Sequence, residues 1–438
     1  MMIEQMKPSG IDWIGNIPVA WDCKQIAFMT DSRSGGTPDR DNMEYWENGT
    51  IPWMSSGEVN KVNVYETEEK ITEAAIRGSS AKIIKANSVM VALNGQGKTK
   101  GMSAILRIDS ACNQSLCAFS CHENKLHYEY LFWCFQTMYT YLRQMSGDDV
   151  RDGLAASYVK KQKIPVPNYN EQKAIATYLN SRCSLLDSII TNLENQIDTL
   201  QKYKKSLITE TVTKGLDKSA PMKDSGIEWV GKIPEHWFKT RLKYCVETIG
   251  SGTTPDSGNP MYYEGGEFPW IQSGDLYNTD YIYSTEKQLT VLATKESKAL
   301  NWYCKDFVVV AMYGASVGNV SISKIDAYTN QACCVIKLRK GNDNRYLFYF
   351  LKAAQEEMLL KAFGGTQPNI SQVIIKNLNY LNVPYDEQKN IADYLDETVK
   401  AISECILEKN RQLYSIKEHK KSLIYEYVTG KKRVTEVK

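Results

Sequence analysis

Long apolar runs are missing from this chain: none approaches the ~20 residues that a membrane-spanning helix needs, and no charged-then-apolar leader opens it. Neither a membrane span nor secretion is indicated, and a cytoplasmic protein is expected. A surplus of one charge is also missing, since 53 Lys and Arg face 51 Asp and Glu for a formal charge of +2. That balance neither requires nor excludes a nucleic-acid partner, because local clustering decides such binding. Histidine is scarce, four in 438 residues, which leaves little room for general-base chemistry. No two of the 13 prolines are adjacent, so the Asp-Pro-Pro-Tyr and Asn-Pro-Pro-Tyr elements of amino-methyltransferases are absent. Closely spaced cysteine pairs repeated at ligand spacing are lacking too. The eleven present are an odd number, mostly scattered singly as in reduced intracellular proteins. The group Cys112, Cys117, Cys121, His122 and His127 lacks the close, regular pairing of zinc ligands, and no metal site is expected.

What is present is a duplication. Lys7-Pro8-Ser9-Gly10-Ile11-Asp12-Trp13-Ile14-Gly15-Asn16-Ile17-Pro18 returns as Lys223-Asp224-Ser225-Gly226-Ile227-Glu228-Trp229-Val230-Gly231-Lys232-Ile233-Pro234, each copy followed by a Trp, Trp21 or Trp237. Ser34-Gly35-Gly36-Thr37-Pro38 returns as Ser251-Gly252-Thr253-Thr254-Pro255, and Asn113-Gln114 as Asn330-Gln331. Glu171-Gln172-Lys173 returns as Glu387-Gln388-Lys389. The displacement is 216 or 217 residues throughout, far beyond solenoid repeats, so each copy is a domain-sized module. The segments Lys61 to Ala86 and Tyr277 to Ala299 bear little likeness. One scaffold therefore holds two different surfaces.

Each copy runs through a lead-in segment, a mixed region and a long helix. The boundaries are 1–21, 22–167 and 168–215 in the first copy, then 216–237, 238–384 and 385–430, with a basic tail at 431–438. The first lead-in is expected to pack near the C-terminal helix. Strand-like Ser88 to Leu93 and Phe307 to Met312, with helix-like Tyr128 to Met145 and Tyr346 to Ala362, make the mixed regions α/β (α+β). The long helices follow Pro167 and Pro384 and end at Gly215 and Gly430. Leu186, Ile190, Leu193, Ile197, Leu200, Lys204 and Leu207 alternate spacings of four and three, as do Ile402, Ile406, Lys409, Leu413, Ile416, Lys420 and Leu423. These are heptad seams in one register, and such seams want a partner. An antiparallel two-helix coil is expected as a rigid spacer, because a pseudo-two-fold axis relating the copies reverses one helix against the other.

Candidate chemistry is thin. Ala92 to Thr99 satisfies a loose phosphate-loop pattern, but a strand follows where a helix is required. This Gly-rich loop is better taken as an edge offering Lys98, Thr99 and Lys100 to a phosphate or base, with Tyr313 and Ser316 in the corresponding place of the second copy. A nuclease assembled from Pro38-Asp39 and Glu171-Gln172-Lys173 is disfavoured, since Glu-Gln-Lys opens a helix, where acid stabilises the first turn. No catalytic residue is expected. The repeated Ser-Gly-x-Thr-Pro turn presents Gly36, Thr37, Thr253 and Thr254, suited to phosphate oxygens or to an ordinary turn. Arg151, Lys160 and Lys161 cluster before the first long helix, and Gln367, Asn369 and Lys376 hold that place in copy two. Such side chains can read base edges or phosphates.

The duplicated Ser-Gly-Ile-Asp/Glu-Trp-Ile/Val-Gly-x-Ile-Pro-x-x-Trp lead-in, the Ser-Gly-x-Thr-Pro turn, Gln367-Pro368-Asn369-Ile370-Ser371 and the Glu-Gln-Lys helix start together resemble the specificity subunit of type I restriction-modification enzymes. The resemblance covers essentially the whole chain. It implies two target-recognition domains, 22–167 and 238–384, each docking on half of a split, asymmetric site in double-stranded DNA. It implies helices that set the spacing and bind two modification subunits, which carry S-adenosylmethionine and methylate adenine, with restriction subunits that use ATP and Mg. Copy one departs from the pattern at Asp148 to Leu154, where Gln-Pro-Asn is absent. A DNA-modifying enzyme with its own pocket and a coiled-coil adaptor without DNA contact are the alternatives.

Overall fold

The computed structural model describes residues 5–95, 97–145, 153–363 and 369–434. The chain divides into two units, one of Met1–Glu194 with Arg411–Lys438 and the other of Asn195–Asn410. Among the described residues no helix is long and apolar enough to cross a membrane.

In the first unit a five-stranded sheet runs in the order Thr30–Ser34, Leu116–Cys121, Val89–Ala92, Ser103–Leu106, Asn63–Val64. Neighbours are antiparallel except the last pair. Alternation along a strand sends successive side chains to opposite faces. Val89 and Val91 accordingly pack with Tyr130, Leu131 and Phe135 of the helix Tyr128–Met145, while Met90 and Ala92 join Met54, Val59 and Leu106 in a second core. A smaller sheet, Ala111–Cys112, Ile51–Met54 and Glu69–Ile71, flanks that second core. Lys163–Val166 pairs with Asp22–Gln25 and returns the chain to its starting edge.

The second unit repeats this order with Val246–Gly250, Cys333–Leu338, Phe307–Ala311, Val320–Ser323 and Tyr281–Ile282. Its covering helix differs from the sequence expectation of one helix over Tyr346 to Ala362. Asn344–Ala353 and Gln355–Leu360 are separated at Ala354 (φ −82°, ψ 4°), a break that no glycine or proline announces.

The long helices are Tyr169–Lys214 and Tyr385–Val428. Asn168 caps the first, its Oδ1 accepting from Glu171 N at 3.0 Å. Gly215 (φ 73°) and Gly430 (φ 71°) end them in the left-handed conformation that glycine adopts without penalty. Each terminal glycine also lies under a lead-in tryptophan. A Cβ on Gly430 would meet Pro18 at 2.5 Å and Trp21 at 2.9 Å, and one on Gly215 would meet Trp237 at 3.3 Å. The first lead-in thus packs on the C-terminal helix, where Ile14, Ile17 and Trp21 share a core with Ile424 and Val428.

Both units pair the two helices antiparallel. In the first, Lys420 meets Asp187 and Lys417 meets Glu194. In the second, Lys409 bonds Gln196 and Lys204 bonds Ser403. The seam positions, Leu186 to Leu207 and Ile402 to Leu423, are buried or half-buried, and nearly every position between them is exposed. That is the pattern of a two-helix coil with α/β recognition modules attached.

Candidate nucleic-acid interface

Strand pairing decides which loops meet. In the first domain Ser34 stands opposite Cys117, and Leu116 opposite Ala92. The loops after Ser34, after Ala92 and before Leu116 therefore leave the same end of the sheet. Leu154 N donates to Leu93 O at 2.7 Å, which brings the helix Ala156–Lys161 to that end as well. The second domain repeats the arrangement. Gly250 faces Val335, Ala311 faces Cys333, and Ile370 N donates to Met312 O at 2.7 Å, which places the helix Gln372–Lys376 there.

The repeated threonine and glutamine join at this end. Thr37 Oγ1 donates to Gln114 Oε1, and Thr254 Oγ1 to Gln331 Oε1. Gly36 of the first turn is buried in support. Gly36 N donates to Cys112 O at 2.8 Å, and Trp53 Nε1 donates to Gly36 O at 3.1 Å. The reading of Gly36 as an amide offered to phosphate is corrected: the turn is structural, and what it leaves outward is Thr37, Thr253 and the exposed Thr254.

Two further expectations are corrected. Lys100 is 7% exposed, and Ser316 4%. Tyr139 Oη donates to Lys98 O at 2.7 Å, and Arg143 Nη1 to Gly97 O at 2.9 Å and Lys100 O at 3.2 Å. The helix Tyr128–Met145 thereby folds the Gly-rich loop over Lys100, leaving Lys98 exposed and Thr99 half-buried. Ser316 is enclosed by a tight bend in which Asn319 N donates to Ser316 O at 2.9 Å and Gly318 takes φ 79°.

Lys161 is exposed, and Lys160 and Lys376 are half-buried in matching places. Burial pushes the Cys117 thiol up to about 11, with Lys160 pulling the other way; burial pushes Cys334 up to about 12, with Lys376 opposing it. Each lysine thus stands near the same strand of its own domain. Burial also pushes the Cys112 thiol up to about 12. Tyr313 is half-buried. Burial raises its pKa most, while a hydrogen bond with Gln331 lowers it. Asn369 is exposed and its backbone pairs with Phe363. Arg151 and Gln367 lie outside the described residues.

Some participants escaped sequence reasoning. Gln372 Nε2 donates to Ser251 Oγ at 2.8 Å and ties the last helix of the second domain to its turn. The signal was its place just after the Gln-Pro-Asn-Ile-Ser element. A cavity of about 590 Å³ beside this edge is lined by Thr254, Tyr263, Trp270 and Gln272. Here the copies diverge, since Trp270 Nε1 is buried without a hydrogen-bond partner whereas Trp53 Nε1 has Gly36.

Two modules with one architecture and unlike edges, joined by paired helices, match known proteins closely in plan. The profile described as "Type I restriction modification DNA specificity domain" matches residues 18–199 and 234–413. The type I restriction enzyme MjaIX specificity subunit of Methanocaldococcus jannaschii is 25% identical, across 97% of this chain and 96% of its own length. The EcoR124I/EcoR124II specificity subunit of Escherichia coli is 34% identical over 38% of this chain and 42% of that protein. Among solved structures, one reported for complex assembly and conformational transition of the type I R-M system has a TM-score of 0.71 at 15% identity, covering 94% of this chain and 99% of that one. The HsdS subunit from Thermoanaerobacter tengcongensis has a TM-score of 0.53 at 16% identity, covering 94% and 98%. With both copies matched and the fold shared, the chain belongs to the type I restriction-modification DNA specificity family and is a specificity subunit of such a system.

Proposed function

We propose that each sheet end reads one half of a split, asymmetric sequence in double-stranded DNA, and that the paired helices fix the separation of the halves. The observation that carries this reading is the convergence of three loops and a short helix on one sheet end in both domains, with different side chains in each. Lys98, Thr99, Lys160, Lys161 and Thr37 serve the first half-site. Thr253, Thr254, Tyr313, Asn369 and Lys376 serve the second. Lysines here position the duplex through its phosphates, while amides and hydroxyls contact base edges.

Modification subunits, two per complex and carrying S-adenosylmethionine, dock on the outer faces of the helices, where Leu185, Leu407 and Tyr414 are large, apolar and exposed. Restriction subunits that use ATP and Mg complete the assembly in the cytoplasm. The chain itself supplies addressing and no turnover. Exchanging residues 22–167 for those of a relative, followed by genome-wide mapping of methylated adenines, tests this. One half-site should change and the other stay; a change in both, or in neither, contradicts it.

A further inference from the structure

The two copies solve one electrostatic problem differently. Lys204 and Lys420 are the same seam position 216 residues apart, and so are Asp187 and Ser403. In the first unit Lys420 Nζ holds both oxygens of Asp187, at 2.5 and 2.7 Å. In the second the carboxylate is gone, and Lys204 Nζ has only Ser403 Oγ at 3.4 Å. Among the described residues no carboxylate forms an ion pair with Lys204. Burial lowers the pKa of Lys204 most, nearby Lys352 lowers it further, and Asp280 offsets part of this. Asp280 is already engaged by Lys352. One positive charge in the group therefore remains without an opposite.

That charge lines a space large enough to supply what is missing. Lys204 and Ser403 line a cavity of about 470 Å³ together with Lys352 and the Asp280 that it engages, and Asn278, Thr279, Asn319 and Gln355 of the domain add polar groups. Volumes of this order hold small ligands, and a few placed polar groups fix their orientation. A partly desolvated ammonium gains most from an anion that reaches it.

We propose that this cavity is an anion site, in which the carboxylate or phosphate of a small molecule takes on Lys204 the place that Asp187 takes on Lys420. Its occupant bridges the helix pair to the second domain, so it acts as an effector of their junction. The proposal is independent of which DNA is read.

Calorimetric titration of the full chain with acetate and with inorganic phosphate, each at constant ionic strength against chloride, tests it. Saturable binding of one equivalent of either probe is expected, acetate alone marking a carboxylate site and phosphate alone a phosphate site. Lys204→Met should weaken binding by at least about tenfold. Ser403→Asp places an internal carboxylate on Lys204 as in the first copy, so it should abolish binding while raising Tm. Should Lys204→Met fail to fold, Ser403→Asp alone decides. Absence of saturable binding by both probes, or binding that persists unchanged in Ser403→Asp, overturns the proposal.

Discussion

Gln172 lies one turn into the central helix, yet its amide serves the domain beside it. Oε1 accepts from His127 N at 2.8 Å, and Nε2 donates to Pro167 O at 2.9 Å and Lys125 O at 3.1 Å. Gln388 repeats this with Asp343 N, Val383 O and Asn342 Oδ1 at 2.9, 2.7 and 3.2 Å. Both are at most 1% exposed. Truncating either strands buried backbone groups, so Gln172→Ala should lower unfolding free energy by about 2–3 kcal/mol in urea titrations. The repeated Glu-Gln-Lys was legible as a helix start, but the amide's partners lie 5 to 47 residues away, and spacing does not disclose them. Lys100 was misplaced for the same reason: Tyr139 and Arg143, which fold its loop inward, stand about 40 residues later. Buried thiols add a pH dependence. Burial raises Cys112, Cys117 and Cys183 from an ordinary value near 9 to about 12, 11 and 11. The folded state then keeps protons that the unfolded state has lost, so this contribution is whole below pH 9 and fades as pH climbs through 11 toward 12. Urea midpoints should fall over that window.

At the scale of elements, the helix pair is the part most openly written in the sequence. Period, seam and terminal glycines all pointed the same way, because a two-helix contact repeats every seven residues and needs no distant partner to be recognised. Adding four residues inside Leu186 to Leu207, with a matching addition opposite, should change the gap between half-sites and leave their bases alone. Mapping of methylated adenines checks this. Ile402, 9% exposed on the seam, should cost about 2–3 kcal/mol on truncation to alanine, read as a lowered denaturation midpoint. Two-residue strands such as Asn63–Val64 and Tyr281–Ile282 left no readable trace. They are extended only because a longer strand beside them supplies parallel partners, and so few residues carry no periodicity.

At the scale of the whole chain, duplication gave the number of modules, and the unlike stretches between shared signposts showed that their surfaces differ. Chemistry was less legible, since a threonine or lysine becomes a reader only when folding carries it to the common sheet end. Binding of duplex by the chain with its modification partner should weaken steeply with salt, and Lys161→Ala should reduce the slope of log affinity against log salt by about 1. The purified chain given a labelled methyl donor and DNA should transfer nothing by itself. The interrupted make-up of the first unit bears on synthesis. Residues 195–410 form a continuous stretch, but the first unit is completed by Arg411–Lys438, including Leu423, Ile424, Tyr427 and Val428 of its core. The half translated earliest must wait, with oily surface uncovered, until ribosomes have finished the other half. A nonsense codon just past 410 should therefore leave the second unit intact and make the first the proteolytic casualty.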